Sequence, residues 1–172
     1  MLPRSCRAGF GKLDLLLIVA LVLVLGFMMI PSLTMRVASR RDAQRLEDMQ
    51  RIEAAIMRYW VDHGSWPPAE ENQAYDGWDV SNDGDFIPAL QSGGYLQGKP
   101  GDPRNDDQYQ YRYRVFPKGS LGLSSDGPTY VLGVRSFETV SARRTSLGGF
   151  QCPDRDFTRE FAWVTGNSAP TR

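Results

Sequence analysis

Few residues in this chain are placed to do covalent or metal chemistry. The single histidine, His63, has no second histidine to join it, and the two cysteines, Cys6 and Cys152, lie on either side of a long apolar run. One His and two Cys supply neither a zinc tetrad nor an iron–sulfur cluster. If the run crosses a membrane, the cysteines cannot pair within one chain; a bond through Cys152 would join two chains in an oxidising compartment. Two acidic loops have the oxygen-rich character that calcium takes. Asp79-Val-Ser-Asn-Asp83-Gly84 matches the first half of an EF-hand loop, but Leu90 stands where its twelfth position wants a bidentate Glu. Asp and Asn are also the ordinary residues of turns. With no nucleophile–base pair and no phosphate-binding glycine loop, a non-enzyme is expected. That leaves Asp14, an acid at the head of the apolar run, where insertion costs about 2.5–3.5 kcal/mol at a helix centre and less near an interface. Either its carboxylate reaches headgroup water or it pairs with a cation of a neighbouring chain.

The elements that must hold these residues begin with the run itself. Leu15 to Ile30 is almost unbroken in apolar character, and Leu15 to Met35 gives 21 residues interrupted by Pro31, Ser32 and Thr34. A helix through hydrocarbon needs about 20 residues, so the run is long enough to span. A secretory signal has a shorter core of about 7–15 residues, and only Val37-Ala38-Ser39 offers a small-residue cleavage site. The remaining residues, about 137, suit one soluble domain. Arg4, Arg7 and Lys12 precede the span and Arg36, Arg40, Arg41 and Arg45 follow it, so basic residues do not set its orientation. Twenty Lys+Arg balance 20 Asp+Glu, which argues against a polyanion-binding module.

From Arg36 to Gly64 the chain lacks Gly and Pro, and Leu46, Met49, Ile52, Ile56, Tyr59 and Trp60 recur every three or four residues. The spacing predicts a helix whose apolar stripe packs on a sheet, with Asp42–Arg45, Glu47–Arg51 and Asp48–Arg51 pairing along the opposite faces. Pro31 can bend that helix, Gly64 and Pro67-Pro68 stop it, and His63 suits its last turn, where the helix dipole favours a cation. Residues 65–108 read as a long ordered loop with one helical turn near Ile87–Gln91. Strands are expected at Tyr109–Phe116, with Tyr109, Tyr111, Tyr113 and Val115 on one face, at Thr129–Arg135, and at Phe157–Val164. Alternating Tyr and Arg could stack nucleic-acid bases, but a half-exposed strand has the same pattern and the charge is not basic, so no nucleic acid is expected.

Gly9-Phe10 followed by an acid at Asp14, behind a leader carrying Arg4 and Arg7, resembles the class III signal of type IV prepilins and type II secretion pseudopilins. The resemblance implies cleavage by a prepilin peptidase between Gly9 and Phe10 on the cytoplasmic side, N-methylation of Phe10, and an acid, here Asp14, in place of the family's usual Glu. Lys12 is atypical. Pro31 stands 21 residues beyond the new N-terminus, where the family commonly has Pro. Ala55, Tyr59, Gly64, Trp66 and Pro67 match the pattern that ends the family's helix, and Leu90, Tyr95-Leu96, Pro100 and Asp102-Pro103 are similar to its lead into the sheet. Residues 141–172 match no segment of the family.

The implied organisation is a leader over 1–9, a transmembrane and polymerisation helix over 10–35, its amphipathic continuation over 36–64 and a head over 65–172, in an α+β pilin-like fold. The implied partners are further copies and other pseudopilins or pilins in a filament, the prepilin peptidase, and an inner-membrane assembly platform with its ATPase. The N-terminus would be cytoplasmic and the head periplasmic. Asp14 of one subunit would neutralise the Phe10 amine of the next and favour one stagger. The family's calcium loop falls at Leu123-Ser124-Ser125-Asp126, making Ser124 and Asp126 the implied ligands, with Asp102, Asp106 or Asp107 able to contribute through space. Two alternatives stay open: a surface type IV pilin for adhesion or motility, and an uncleaved, singly anchored periplasmic binding or sensor domain.

Overall fold

The computed structural model describes residues 11–124, 127–145 and 149–169, with the side chains of 27–32, 144 and 145 outside that description. Cys6, Gly9, Phe10 and Asp126 therefore lie outside the described residues, as does the side chain of Pro31. Two units are distinguished, Met1–Val37 and Ala38–Arg172.

Helix α1 spans Lys12–His63, and Pro31 falls within it. It ends where the chain supplies a residue free to turn left-handed: Gly64 has φ 68°, and its N–H bonds the Trp60 carbonyl at 2.7 Å. In the second unit, β1 (Asp79–Val80), β2 (Tyr111–Phe116), β3 (Thr129–Val134) and β4 (Trp163–Ser168) form one sheet in the order β1-β2-β3-β4. Each neighbouring pair is antiparallel. The architecture is α+β, a long N-terminal helix with a small antiparallel sheet. Two short helices, α2 (Pro88–Ser92) and α3 (Val140–Thr145), complete it.

The stripe read from the sequence is the buried face of α1. Met49, Ile52, Ala55 and Ile56 are buried against Tyr111 and Tyr113 of β2 and Tyr130, Leu132 and Val134 of β3. Tyrosine suits this seam because its ring fills the core while its hydroxyl finds a partner. Tyr111 donates to Asp48 at 2.9 Å, and Tyr113 donates to the Pro67 carbonyl at 2.9 Å.

Three expectations need correction. The last strand lies at Trp163–Ser168, not Phe157–Val164; Phe157–Arg159 is a 3-10 turn started by Asp156, whose carboxylate accepts from the Thr158 N–H. The 65–108 segment holds a 3-10 turn at Gln73–Tyr75 and strand β1 besides the helical turn α2. The first strand begins at Tyr111, since Tyr109 exchanges backbone hydrogen bonds with Asp106 in a turn.

The sheet is also covered on the face away from α1. Trp78, Val80, Phe116, Leu121, Val131, Phe157, Phe161 and Val164 form a second apolar cluster there. Gly133 is required by it: a Cβ at that position would lie 2.5 Å from the Phe161 ring. A half-exposed β2 was expected because these rings come mostly from irregular segments, which carry no periodic signal.

Candidate assembly site

Asp14 occupies the first turn of α1 and accepts a hydrogen bond from the Gly11 N–H at 2.9 Å. This is the acid's half of a capping box, which satisfies an N-terminal donor and places negative charge where the helix dipole favours it. Asp14 is exposed, and its contact is to the amide that follows Phe10 in the same chain.

Around it, as far as Val37, the described large apolar side chains are exposed. Leu13, Leu15, Leu16, Leu17, Ile18, Val19, Leu21, Val22, Leu23, Val24 and Leu25 are between 44% and 76% exposed, and Leu33, Met35 and Val37 are exposed as well. A helix apolar on all sides needs lipid or other helices, because contiguous apolar surface of this kind is costly in water. Among the described residues, no helix is long and apolar enough to cross a membrane. The side chains of residues 27–32, between Gly26 and Leu33, are outside that description.

The polar counterpart is an ion cluster that the sequence reading misplaced. Asp42 and Arg45 were expected to pair on a solvent face; they are 2% and 0% exposed. The Arg45 guanidinium bonds Asp102 through Nε at 2.6 Å and Nη2 at 2.8 Å, and its Nη1 reaches Asp42 at 2.6 Å and Glu138 at 2.9 Å. Asp42 also accepts the Glu138 and Thr139 N–H groups and the Thr139 hydroxyl. Arg41 completes the set with two bonds to Glu138, 2.7 and 2.5 Å long. Arg41, and then Arg45, hold the Glu138 carboxyl down at about 2, well below the ordinary range. The signal was present in the spacing: Asp42 and Arg45 lie seven and four residues before Met49, on the buried stripe itself.

The residues considered for calcium have other partners. Asp102 is committed to Arg45, Asp106 accepts the Gln108 and Tyr109 N–H groups, and Asp107 accepts the Tyr75 hydroxyl at 2.8 Å. Ser124 is exposed, and Asp126 is outside the described residues. Among the described residues, no three His, Cys, Asp or Glu side chains are grouped to hold a metal. The first acid of the EF-hand-like stretch, Asp79, is in β1 and 1% exposed. One of its oxygens accepts the Glu70 and Ile87 N–H groups at 3.0 and 3.2 Å, and the other has no partner. Burial pushes its pKa up to about 7.

Tyr111 and Tyr113 lie sealed under α1, where no base could stack on them. His63 bonds the Tyr59 carbonyl at 3.1 Å and stacks on the Tyr59 ring at 4.0 Å, as part of the final turn. Cys152 is a free, half-buried thiol that donates to the Arg155 carbonyl, and burial raises its pKa. Neither family models nor known proteins nor solved structures give a match to this chain.

Proposed function

We propose that this chain is a pilin-like filament subunit, most similar to a pseudopilin of a type II secretion system. In this reading it is inserted through its N-terminal helix, cut between Gly9 and Phe10 by a prepilin peptidase, and polymerised from the inner membrane by a platform and its ATPase. The observation that carries the reading is the exposed apolar stretch of α1 with a single acid in its first turn. Such a stretch lacks a covering in one copy, and further copies of the same helix supply one. Function is mechanical: added subunits lengthen a periplasmic filament that drives protein export. In the filament Asp14 of one subunit would neutralise the Phe10 amine of the next, in addition to capping its own helix through Gly11.

The anchored, uncleaved domain is the second reading, and one observation favours it. The Asp14 carboxylate already has a partner in its own chain and in that case serves only as a cap. Intact mass of the membrane-extracted chain, co-expressed with a prepilin peptidase and compared with Gly9→Ala, separates the two. Loss of the first nine residues, blocked in the variant, is the result expected of a filament subunit. An uncut chain in both would overturn the filament reading. Growth of filaments outside the cell would assign the chain to surface pili.

A further inference from the structure

Two other arginines drawn into the fold are paired: the buried Arg45 of α1 with three carboxylates, and the half-buried Arg155 with Glu160 through two bonds of 2.7 and 2.6 Å. Arg112 is different. It is 8% exposed, yet its guanidinium makes no hydrogen bond or ion pair with any described residue, and its Nε is sealed from solvent without a partner. Its one close support is the face of the Tyr75 ring, 5.4 Å away. Burial lowers its pKa, and the neighbouring Arg135 lowers it further. Desolvating part of a guanidinium without a counter-charge is unfavourable. Cation–π contact with one tyrosine offsets a small part of that.

Strand register explains how the position arises. Arg112 of β2 stands between Val80 of β1 and Gly133 of β3. Side chains alternate along a strand, so Arg135, two residues past Gly133, shares the Arg112 face as its diagonal neighbour. The Arg135 N–H bonds the Gln110 carbonyl at 3.1 Å, continuing the ladder. Its half-buried side chain has no hydrogen bond or ion pair to any described residue. Two arginines thus share one face of the sheet as diagonal neighbours, and the charge of Arg135 is felt at Arg112. Asp76 and Glu160 act on Arg112 through space only, and Glu160 is held by Arg155.

We propose that Arg112 and Arg135, beside the Tyr75 ring, form a receptor for one carboxylate. The planar fork of arginine matches a carboxylate in two-point contact. Asp76 and Glu160 nearby disfavour a doubly charged phosphate and leave a singly charged group as the better match. The carboxylate belongs either to a free organic acid or to a polypeptide C-terminus.

The test is a titration of the 15N-labelled full chain in detergent, at constant ionic strength, read at the Gly133 amide. The probes are acetate, acetyl-Ala-Ala with a free carboxylate, and the same peptide with its carboxylate amidated. Both carboxylates are expected to give saturable shifts, the amidated peptide none, and Arg135→Ala to raise the midpoint about tenfold. A peptide midpoint well below that of acetate assigns a polypeptide terminus; equal midpoints assign a free acid. Either outcome sustains the receptor. It is overturned if the amidated peptide gives the same curve, if no shift saturates by about 100 mM, or if Arg135→Ala leaves the midpoint unchanged. Arg135→Ala removes a half-buried side chain, so the test does not depend on an Arg112 variant that fails to fold.

Discussion

One helix, α1, contains two stretches that obey opposite rules. From Leu13 to Val37 its described apolar side chains face solvent on every side, and one acid, Asp14, is occupied with capping. From Ala38 to His63 it is amphipathic: Met49, Ile52, Ala55 and Ile56 bury themselves under the sheet, and Arg45 buries a charge among three acids. The second stretch finds its packing and ionic partners within its own chain, with only the Trp60 indole N–H left buried and unpartnered among its described side chains. The described apolar side chains of the first stay exposed. Continuous helix therefore says little about what a segment is for; the difference lies in whether the polar and apolar groups are already matched.

The sharpest way to break this contrast is to change each stretch and read both assembly and head stability. Gly9→Ala should have an all-or-none effect on processing and filament formation, yet leave thermal unfolding of the head unchanged. Arg45→Ala should do the reverse. It leaves Asp42 and Asp102 buried without their cation, which costs about 3–5 kcal/mol in denaturant unfolding. The control is Arg51→Ala: Arg51 is exposed and its 3.3 Å pair with Asp48 is long, so its loss should cost under about 1 kcal/mol. Ile56→Ala, which opens a cavity under the sheet, should cost about 2–5 kcal/mol, whereas Leu21→Ala should not move the head's unfolding midpoint.

Changes of pH test the head alone, and two carboxyls make their effects opposite in sign. Glu138 has a folded pKa of about 2, below its ordinary 4.5, so its contribution is complete above 4.5 and is lost as pH falls towards 2. Asp79 has a folded pKa of about 7, above its ordinary 3.8, so the folded state holds its proton more tightly and stability falls as pH rises from 3.8 to 7. Asp79→Asn should therefore raise the unfolding temperature at pH 8 and change it little at pH 4. An equal change at both pH values would mean that the Asp79 proton is not what the fold selects.

The sequence made the outline of this fold readable where spacing repeats. Leu46 to Trp60 revealed the packed helix face, Gly64 its end, and alternating residues at β2 and β3 the two central strands. Short or irregular pieces escaped. β1 has only two residues, and β4 contains Gly166 and Asn167, which weaken its signature, while Phe157 and Phe161 suggested a strand but supply rings to the second cluster from a turn. Of the candidate site, the apolar run and Asp14 were visible as composition. The Arg45 cluster was not, because Asp102 and Glu138 reach it only once the chain has folded back, and charged residues on a stripe are ordinarily read as solvated.

That distance along the chain also sets a clock. Arg45 takes Asp42 from its own helical turn and its other two partners from 57 and 93 residues further on. That turn forms on a sub-microsecond scale, but Asp102 and Glu138 arrive only after the intervening loops have closed. Contacts made that late are largely absent from the folding transition state, so losing them speeds unfolding far more than it slows refolding. The guanidinium of Arg45 is thus expected to lengthen the lifetime of the folded head.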